Sequence, residues 1–167
     1  RRFDSSRRHH FFEALNMTIL SHILFTTAGV KIMELNGKEL LLAYVFGVLI
    51  DLDHLVKLPL YLKKNNFKIS NIFKQSLPRE RYYNWRTSLQ EPIALSWIIP
   101  IAIFLNSIIP IIFFLSHLFL DYLMNYRKSP FYPLSKFAIR GLSTSISNKT
   151  KEFIIIIISI CLILLHL

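Results

Sequence analysis

Long apolar runs alternate with shorter polar segments along the chain, and this pattern predicts a helical protein. The apolar runs cover residues 17–33, 39–56, 92–124 and 153–167. A turn with the sequence Asn-Gly-Lys at 36–38 separates the first two runs. Basic loops at 57–90 and 126–151 join the others. Because the runs are so strongly apolar, we expect their helices to lie in a membrane.

The run 92–124 is too long for one membrane helix. At the rise of an α-helix it would extend about 50 Å, whereas the hydrocarbon core of a bilayer is about 30 Å thick. The polar pair Asn106 and Ser107 lies near its middle, between Pro100 and Pro110. We therefore expect a tight helical hairpin with short arms. The predicted fold is an all-α, polytopic membrane helical bundle with about five membrane segments, including this hairpin.

Composition and charge agree with a membrane protein. The chain of 167 residues is 53% hydrophobic and 18% charged, with a net charge of +10. If the N-terminus lies in the cytoplasm, only Lys31 and Lys38 fall on the outer side, which is the positive-inside pattern. We therefore expect a multi-pass protein of the cell (inner or plasma) membrane, with membrane lipids as neighbours. Since the basic residues lie in loops, the sequence argues against nucleic acid as a partner.

The N-terminal segment differs from the remainder of the chain. Residues 1–16, RRFDSSRRHHFFEALN, form a basic leader that lacks the order of a cleavable signal peptide. A native start at Met17 and a non-native origin of the leader are two interpretations of it. Residues 17–167 are expected to form a single integral membrane domain. Its only cysteine, Cys161, lies in an apolar run, so no disulfide framework is expected.

Acidic and histidine side chains interrupt the apolar runs. Asp51, Asp53 and His54 occur within YVFGVLIDLDHLVKLPLYL, although an acidic residue in a membrane helix costs about 2.5–3.5 kcal/mol. The five-segment topology brings these and other polar residues to one level near the cytoplasmic face. The residues at this level are His22, Asp51, Asp53, His54, Glu91, His117 and Asp121. Helical spacing also places Asp51 with His54, and His117 with Asp121, on shared faces.

A bound divalent cation would offset the cost of this cluster. Carboxylates and neutral imidazoles suit zinc, manganese or iron, whereas magnesium and calcium take mostly oxygen ligands. We expect a divalent metal, with zinc favoured and manganese or magnesium as alternatives. The candidate metal ligands are His22, Asp51, His54, Glu91, His117 and Asp121.

Each part of the cluster also has a purely structural interpretation. His22 could be a hydrogen-bonded core histidine, and the Asp-Leu-Asp-His segment could be a solvated helix end paired with Lys57. His117 and Asp121 could form a structural pair beside Tyr122 or Arg127. The metal hypothesis is favoured because the structural interpretations require several such helix ends to coincide by accident.

Four segments resemble, in order, the motifs of the LexA-binding, inner-membrane-associated family of metal-dependent hydrolases. The segments are MTILSHILFTTAGVKI, FGVLIDLDHL, WRTSLQEP and SHLFLDYL…SPFYPLS. The family has an early Thr/Ser-His, a Pro-Asp-Leu-Asp-His, a His-Arg…Thr-His-Ser and a late His…Leu-Asp before a Pro-Leu turn. The resemblance extends from Met17 to about Ser135.

The resemblance implies a metal-binding, hydrolytic centre. Its members would be His22, Asp51, Asp53, His54, His117 and Asp121. Ile50 stands where the family usually has proline, and Asn84 or Trp85 and Gln90 stand where it has histidines. Either Glu91 replaces a lost ligand or the centre is reduced or inactive. The family is also distantly similar to zinc-dependent phospholipases and single-strand nucleases, which indicates a reaction class.

The expected function is a membrane-bound metal-dependent hydrolase that acts on a phosphoester or lipid, such as a phospholipid, at the cytoplasmic face. Asp53 is the candidate general base, because its i,i+2 offset turns it away from the face that Asp51 shares with His54. Arg86 could bind a phosphate or anchor the chain to anionic headgroups. The alternative is a non-enzymatic membrane scaffold or an inactive member that recruits a soluble regulatory protein. A metal transporter is a third hypothesis, disfavoured because the ligands lie at one face.

Overall fold

Five α-helices dominate the part of the chain that the computed structural model describes. This part comprises residues 6–52, 89, 91–125, 127–128, 130–131, 134–135, 137–140 and 145–167. The helices are α1 (Ser6–Ile32), α2 (Gly37–Gly47), α3 (Leu95–Phe104), α4 (Ile109–Leu123) and α5 (Asn148–Leu165). Short 3₁₀ helices cover Leu49–Leu52 and Pro92–Ala94. Strands β1 (Arg127–Lys128) and β2 (Ile139–Arg140) pair antiparallel, with Arg127 opposite Arg140.

The prediction of a polytopic membrane bundle is wrong. Among the residues described, no helix combines the length and the apolar character needed to cross a membrane. Helices α2, α3 and α4 have 11, 10 and 15 residues, whereas a membrane span needs about 20. Helix α5 has 18 residues, but Lys149, Lys151 and Glu152 occupy its first two turns. The expected multi-pass location in the cell membrane, with a cytoplasmic N-terminus, is overturned by the same finding.

The first helix runs through the boundary that the sequence suggests between a leader and a domain. Helix α1 is continuous from Ser6 to Ile32 and therefore includes most of the leader, residues 1–16, as well as the start of the segment 17–167. It ends in a left-handed turn, where Glu34 has φ 52° and the Leu35 N–H bonds to the Val30 carbonyl at 3.0 Å. This bond and the positive φ are features of a helix C-terminal motif.

The run 92–124 folds as a helical hairpin. Helix α3 ends at Phe104, and Asn106 adopts a left-handed conformation with φ 48°. The Ser107 N–H bonds back to the Ala102 carbonyl at 3.0 Å, which closes the end of α3. Pro110 lies in the first turn of α4, where a missing N–H costs no helical hydrogen bond. The hairpin therefore turns at the polar pair that the sequence singles out.

Two apolar clusters hold the helices together. The larger one joins α2, α3 and α4, with Phe46, Ile98, Phe113 and Phe114 buried at its centre. The smaller one contains Leu120, Met124 and Ile155, and it connects the end of α4 to α5. Helix α5 also packs along α1. This arrangement brings the middle of α1, the end of α2 and the last two turns of α4 together.

Polar contacts fix the start of α5 against the end of α4. The Ser147 side chain accepts a hydrogen bond from the Thr150 N–H at 3.2 Å and caps the helix. The Lys151 ammonium donates to the Leu123 carbonyl at 2.7 Å and to Asn125 Oδ1 at 3.1 Å. These bonds satisfy an otherwise unpaired carbonyl at the end of α4, so they hold that end in place.

Candidate metal centre

Three side chains from three separate elements converge in the interior. His22 lies on α1, Asp51 on the 3₁₀ helix that follows α2, and His117 on α4. Their potential ligand atoms all lie within 4.8 Å of one another. His117 Nε2 is 3.5 Å from Asp51 Oδ1, and His22 Nε2 is 3.9 Å from Asp51 Oδ2. Both histidines are 1% exposed, so their rings are shielded from solvent.

Asp121 extends the cluster on the same face of α4. It lies four residues after His117, and its Oδ1 is 3.7 Å from His22 Nε2. Asp121 is also buried. His22 Nε2 therefore faces two carboxylates, those of Asp51 and Asp121. The cluster thus contains two imidazoles and two carboxylates.

A change of helix type places Asp51 in the site. Helix α2 ends at Gly47, and Val48 leaves the helical conformation with φ −131° and ψ −54°. The Asp51 N–H then bonds to the Val48 carbonyl at 3.1 Å, which is the spacing of a 3₁₀ turn. The first and last residues of this 3₁₀ helix, Leu49 and Leu52, are exposed. The tighter turn therefore directs Asp51 inward.

A backbone carbonyl fixes the state of the His117 ring. His117 Nδ1 lies 3.2 Å from the Gly47 carbonyl oxygen. A carbonyl can only accept, so Nδ1 carries the proton and Nε2 of the neutral ring presents its lone pair. Nε2 makes no hydrogen bond within the part of the chain that the structure describes, and it faces an acceptor, Asp51 Oδ1. Two acceptors that face each other need a cation or a proton between them.

The two imidazole rings stack. Their centroids are 4.2 Å apart and the ring planes meet at 21°. Stacking at this distance holds the two rings in a fixed relative orientation. His22 Nδ1 is buried and has no hydrogen-bond partner among the described residues.

Burial lowers the pKa of His117 below its ordinary value of 6.5, and the neighbouring His22 lowers it further. Asp51, Asp121 and the hydrogen bond to Gly47 act in the opposite direction but do not reverse the shift. His117 is therefore neutral at neutral pH, which is the form that binds a metal ion.

The metal-free protein is expected to lose stability as the pH falls below 6.5. Because the pKa of His117 is lower in the folded than in the unfolded protein, the unfolded chain binds more protons between the two values. The stability that neutral His117 confers is fully present above pH 6.5 and decreases as the pH falls toward the lowered pKa. Urea unfolding of chelator-treated protein at pH 8 and pH 5.5 measures this loss, which should be smaller in His117→Gln. Equal losses in both proteins would contradict the assignment.

The donor set fits a metal ion. In a tetrahedral site with bonds of about 2.0–2.2 Å, neighbouring ligand atoms are about 3.3–3.6 Å apart. Three nitrogen–oxygen distances here are 3.5, 3.7 and 3.9 Å, and the ligand atoms of His22, Asp51 and His117 lie within 4.8 Å of one another, so the ligands must move closer together to enclose an ion. A divalent cation would also balance the charge of two carboxylates. The buried group of His22, Asp51 and His117 could therefore hold a metal ion.

Among the other predicted site residues, only Glu91 belongs to the described part of the chain. Glu91 is buried just before the Pro92–Ala94 helix and accepts a hydrogen bond from the Tyr122 hydroxyl at 2.9 Å. It is not part of the group that could hold a metal. His54, Asp53 and Arg86 fall outside the described residues, so their roles stay predictions.

Sequence reasoning missed the contribution of Gly47. Its carbonyl binds His117, and a side chain at this position would clash with α1. A signal for it exists in the sequence, because a glycine four residues before Asp51 interrupts an otherwise helix-forming run. That signal indicates close backbone approach but does not identify the partner.

Comparison with known proteins finds no matching family model, no matching curated protein and no matching solved structure. The resemblance to the hydrolase family therefore depends on the sequence motifs alone.

Proposed function

We propose that His22, Asp51, His117 and Asp121 bind one divalent metal ion. The observation that supports this most strongly is the buried lone pair of His117 Nε2, which faces the Asp51 carboxylate at 3.5 Å. A cation between these atoms would give His117 Nε2 a partner and would be attracted by the Asp51 carboxylate. Zinc is favoured because the donors are two imidazole nitrogens and carboxylate oxygens, and manganese or magnesium are the alternatives.

The chain's own groups prepare this centre for an ion. The Gly47 carbonyl holds the His117 tautomer that presents Nε2. Burial keeps both rings from water, and stacking limits the motion of His22. Asp121 is oriented by the last turns of α4, whose end is held by Lys151. These contacts would restrict the motion of the ligands before an ion binds.

We further propose that the protein is a metal-dependent hydrolase and that its substrate is a phosphoester, with lipid phosphoesters among the candidates. A divalent cation in such a site acts as a Lewis acid and makes water acidic near neutral pH. The family resemblance supports the same reaction class. In this proposal Asp53 accepts the proton of the attacking water, and Arg86 binds the phosphate through its guanidinium.

A second candidate function is that of a metal-binding protein without catalysis that recruits a soluble regulatory partner. The observation that favours it is the altered middle motif, in which Asn84 or Trp85 and Gln90 replace the histidines usual in the family. Metal binding alone does not distinguish the two functions, because a protein with either function would keep the metal ligands.

Turnover measured with and without metal tests the proposed function. Protein treated with a chelator and dialysed should be inactive, and added zinc, manganese or magnesium should restore hydrolysis of a phosphomonoester, a phosphodiester or a phospholipid in mixed micelles. His166→Ala is a matched control, since His166 is exposed at the end of α5 and should not affect activity. If metal-loaded protein hydrolyses none of these substrates, the hydrolase proposal is wrong and the non-catalytic function is favoured.

A further inference from the structure

We propose that Gly47 is a positioning residue of the metal centre, acting on both histidines. Its carbonyl sets the tautomer and direction of His117, and its lack of a side chain allows α1 to bring His22 against His117. This inference rests on the proposed metal binding, and it assigns the positioning of the two histidine ligands to the backbone at Gly47.

The carbonyl of Gly47 is available because helix α2 stops. In a continued α-helix the Asp51 N–H would bond to the Gly47 carbonyl. Instead that N–H bonds to the Val48 carbonyl at 3.1 Å, and the Gly47 oxygen accepts the proton of His117 Nδ1. The turn that carries Asp51 into the site therefore also supplies the acceptor that orients His117. One local change of helix type thus serves two ligands.

The missing side chain of Gly47 sets the distance between helices. A Cβ atom at this position would lie 2.5 Å from Thr26 Oγ1, 3.2 Å from Thr26 Cγ2 and 3.3 Å from Phe113 Cδ1. The first distance is far shorter than real Cβ contacts, so α1 and α2 would have to separate. Thr26 lies one turn after His22 on α1, and Phe113 lies one turn before His117 on α4. Separation at Gly47 would therefore move His22 away from Asp51 and His117.

The substitution Gly47→Ala tests the inference against a matched control. Gly29→Ala places a Cβ at 3.2–3.3 Å from the same Phe113 ring, but the Gly29 carbonyl accepts the ordinary helical bond from the Met33 N–H. Gly47→Ala should lose stability, whereas in Gly29→Ala the Phe113 ring needs to move by only a few tenths of an ångström. Zinc affinity, measured by competition with a chromophoric chelator, should fall about 10–100-fold in Gly47→Ala, as for other groups that orient metal ligands. In Gly29→Ala it should change by less than about threefold, because no ligand is displaced.

A second substitution should restore the site. Thr26→Ala removes both atoms of Thr26 that the new Cβ would meet most closely. The double variant Gly47→Ala/Thr26→Ala should therefore recover zinc affinity to within about threefold of Thr26→Ala, since the Gly47 carbonyl is retained. A role confined to general stability would not give a recovery specific to this pair.

The tautomer of His117 gives a readout that needs neither metal nor activity. In metal-free protein at pH 8, nitrogen-15 spectra should show His117 protonated at Nδ1, with Nε2 unprotonated. A wild-type ring protonated at Nε2 would overturn the inference, as would a folded Gly47→Ala that binds zinc as tightly as Gly29→Ala. If Gly47→Ala does not fold, the inference is tested by the tautomer of the wild-type protein and by the zinc affinity of the double variant. Wild-type protein that binds no zinc would refute the proposed function itself.

Discussion

Replacing His117 by alanine is expected to weaken zinc binding by more than about 100-fold. Loss of a group that only orients a ligand costs about 10–100-fold in metal affinity, and loss of the ligand itself should cost more. His117 Nε2 lies 3.5 Å from Asp51 Oδ1, so its removal takes away one of the two atoms that would share the ion across this distance. Isothermal titration of chelator-treated protein with zinc at pH 7.5 measures the change.

His166→Ala serves as the control for His117→Ala. It removes an imidazole that is exposed at the C-terminal end of α5, away from the buried cluster. Zinc affinity should be that of the wild type. His22→Ala should resemble His117→Ala, because His22 Nε2 faces both carboxylates. A His117→Ala protein that binds zinc with wild-type affinity would exclude this histidine as a ligand.

Replacing Asp53 by asparagine is expected to reduce turnover by about 10²–10⁴-fold while zinc affinity stays near the wild-type value. General-base catalysis is worth about this factor, and asparagine cannot accept the proton. Asp51→Ala should give the opposite pattern, with loss of zinc and of stability together, because it removes a carboxylate that lies between two buried histidines. Parallel measurement of kcat, zinc affinity and urea unfolding separates the two effects.

The two proposed functions differ in their response to Asp53→Asn. In a hydrolase the variant binds zinc but turns over slowly. In a protein that only recruits a partner, Asp53→Asn would leave binding of that partner unchanged and would be neutral or slightly stabilising. Wild-type kcat in the variant would show that Asp53 is not the base.

The core of the site was predictable from sequence because its residue types are unusual in apolar runs. His22, Asp51 and His117 each interrupt such a run, and charged or polar groups in these positions need partners. The expected convergence relied on a membrane topology that the structure contradicts. His22, Asp51 and His117 nevertheless lie close together, because the turn after α1 and the hairpin α3–α4 bring the middle of α1, the end of α2 and the last turns of α4 to one place. The prediction of proximity thus held for a different physical reason.

Helix lengths could not be predicted from hydropathy. The run 39–56 reads as one segment, but α2 ends at Gly47, where the backbone approaches Thr26 too closely for a side chain, and a 3₁₀ turn follows. The terminal run reads as apolar from 153 onward, yet α5 begins at Asn148 and buries Lys151 against the end of α4. Both features depend on tertiary contacts, which periodicity does not contain.

The hydrogen-bond partner of the Glu91 side chain could not be predicted from the sequence either. Its position before an apolar run predicts a metal ligand at the same depth as the other acidic residues. In the structure it precedes the turn Pro92–Ala94 and accepts a hydrogen bond from Tyr122, which follows Asp121 on α4. Adjacent residues on a helix point about 100° apart, so a partner of Tyr122 need not face the site of Asp121.

Zinc K-edge X-ray absorption of the protein loaded with one equivalent of zinc tests the central claim most directly. We expect a first shell of nitrogen and oxygen atoms at about 2.0–2.2 Å, together with the outer-shell scattering of two imidazole rings. The double variant His22→Ala/His117→Ala should show no imidazole scattering. A wild-type protein that retains no zinc, or whose zinc lacks imidazole ligands, would contradict the account.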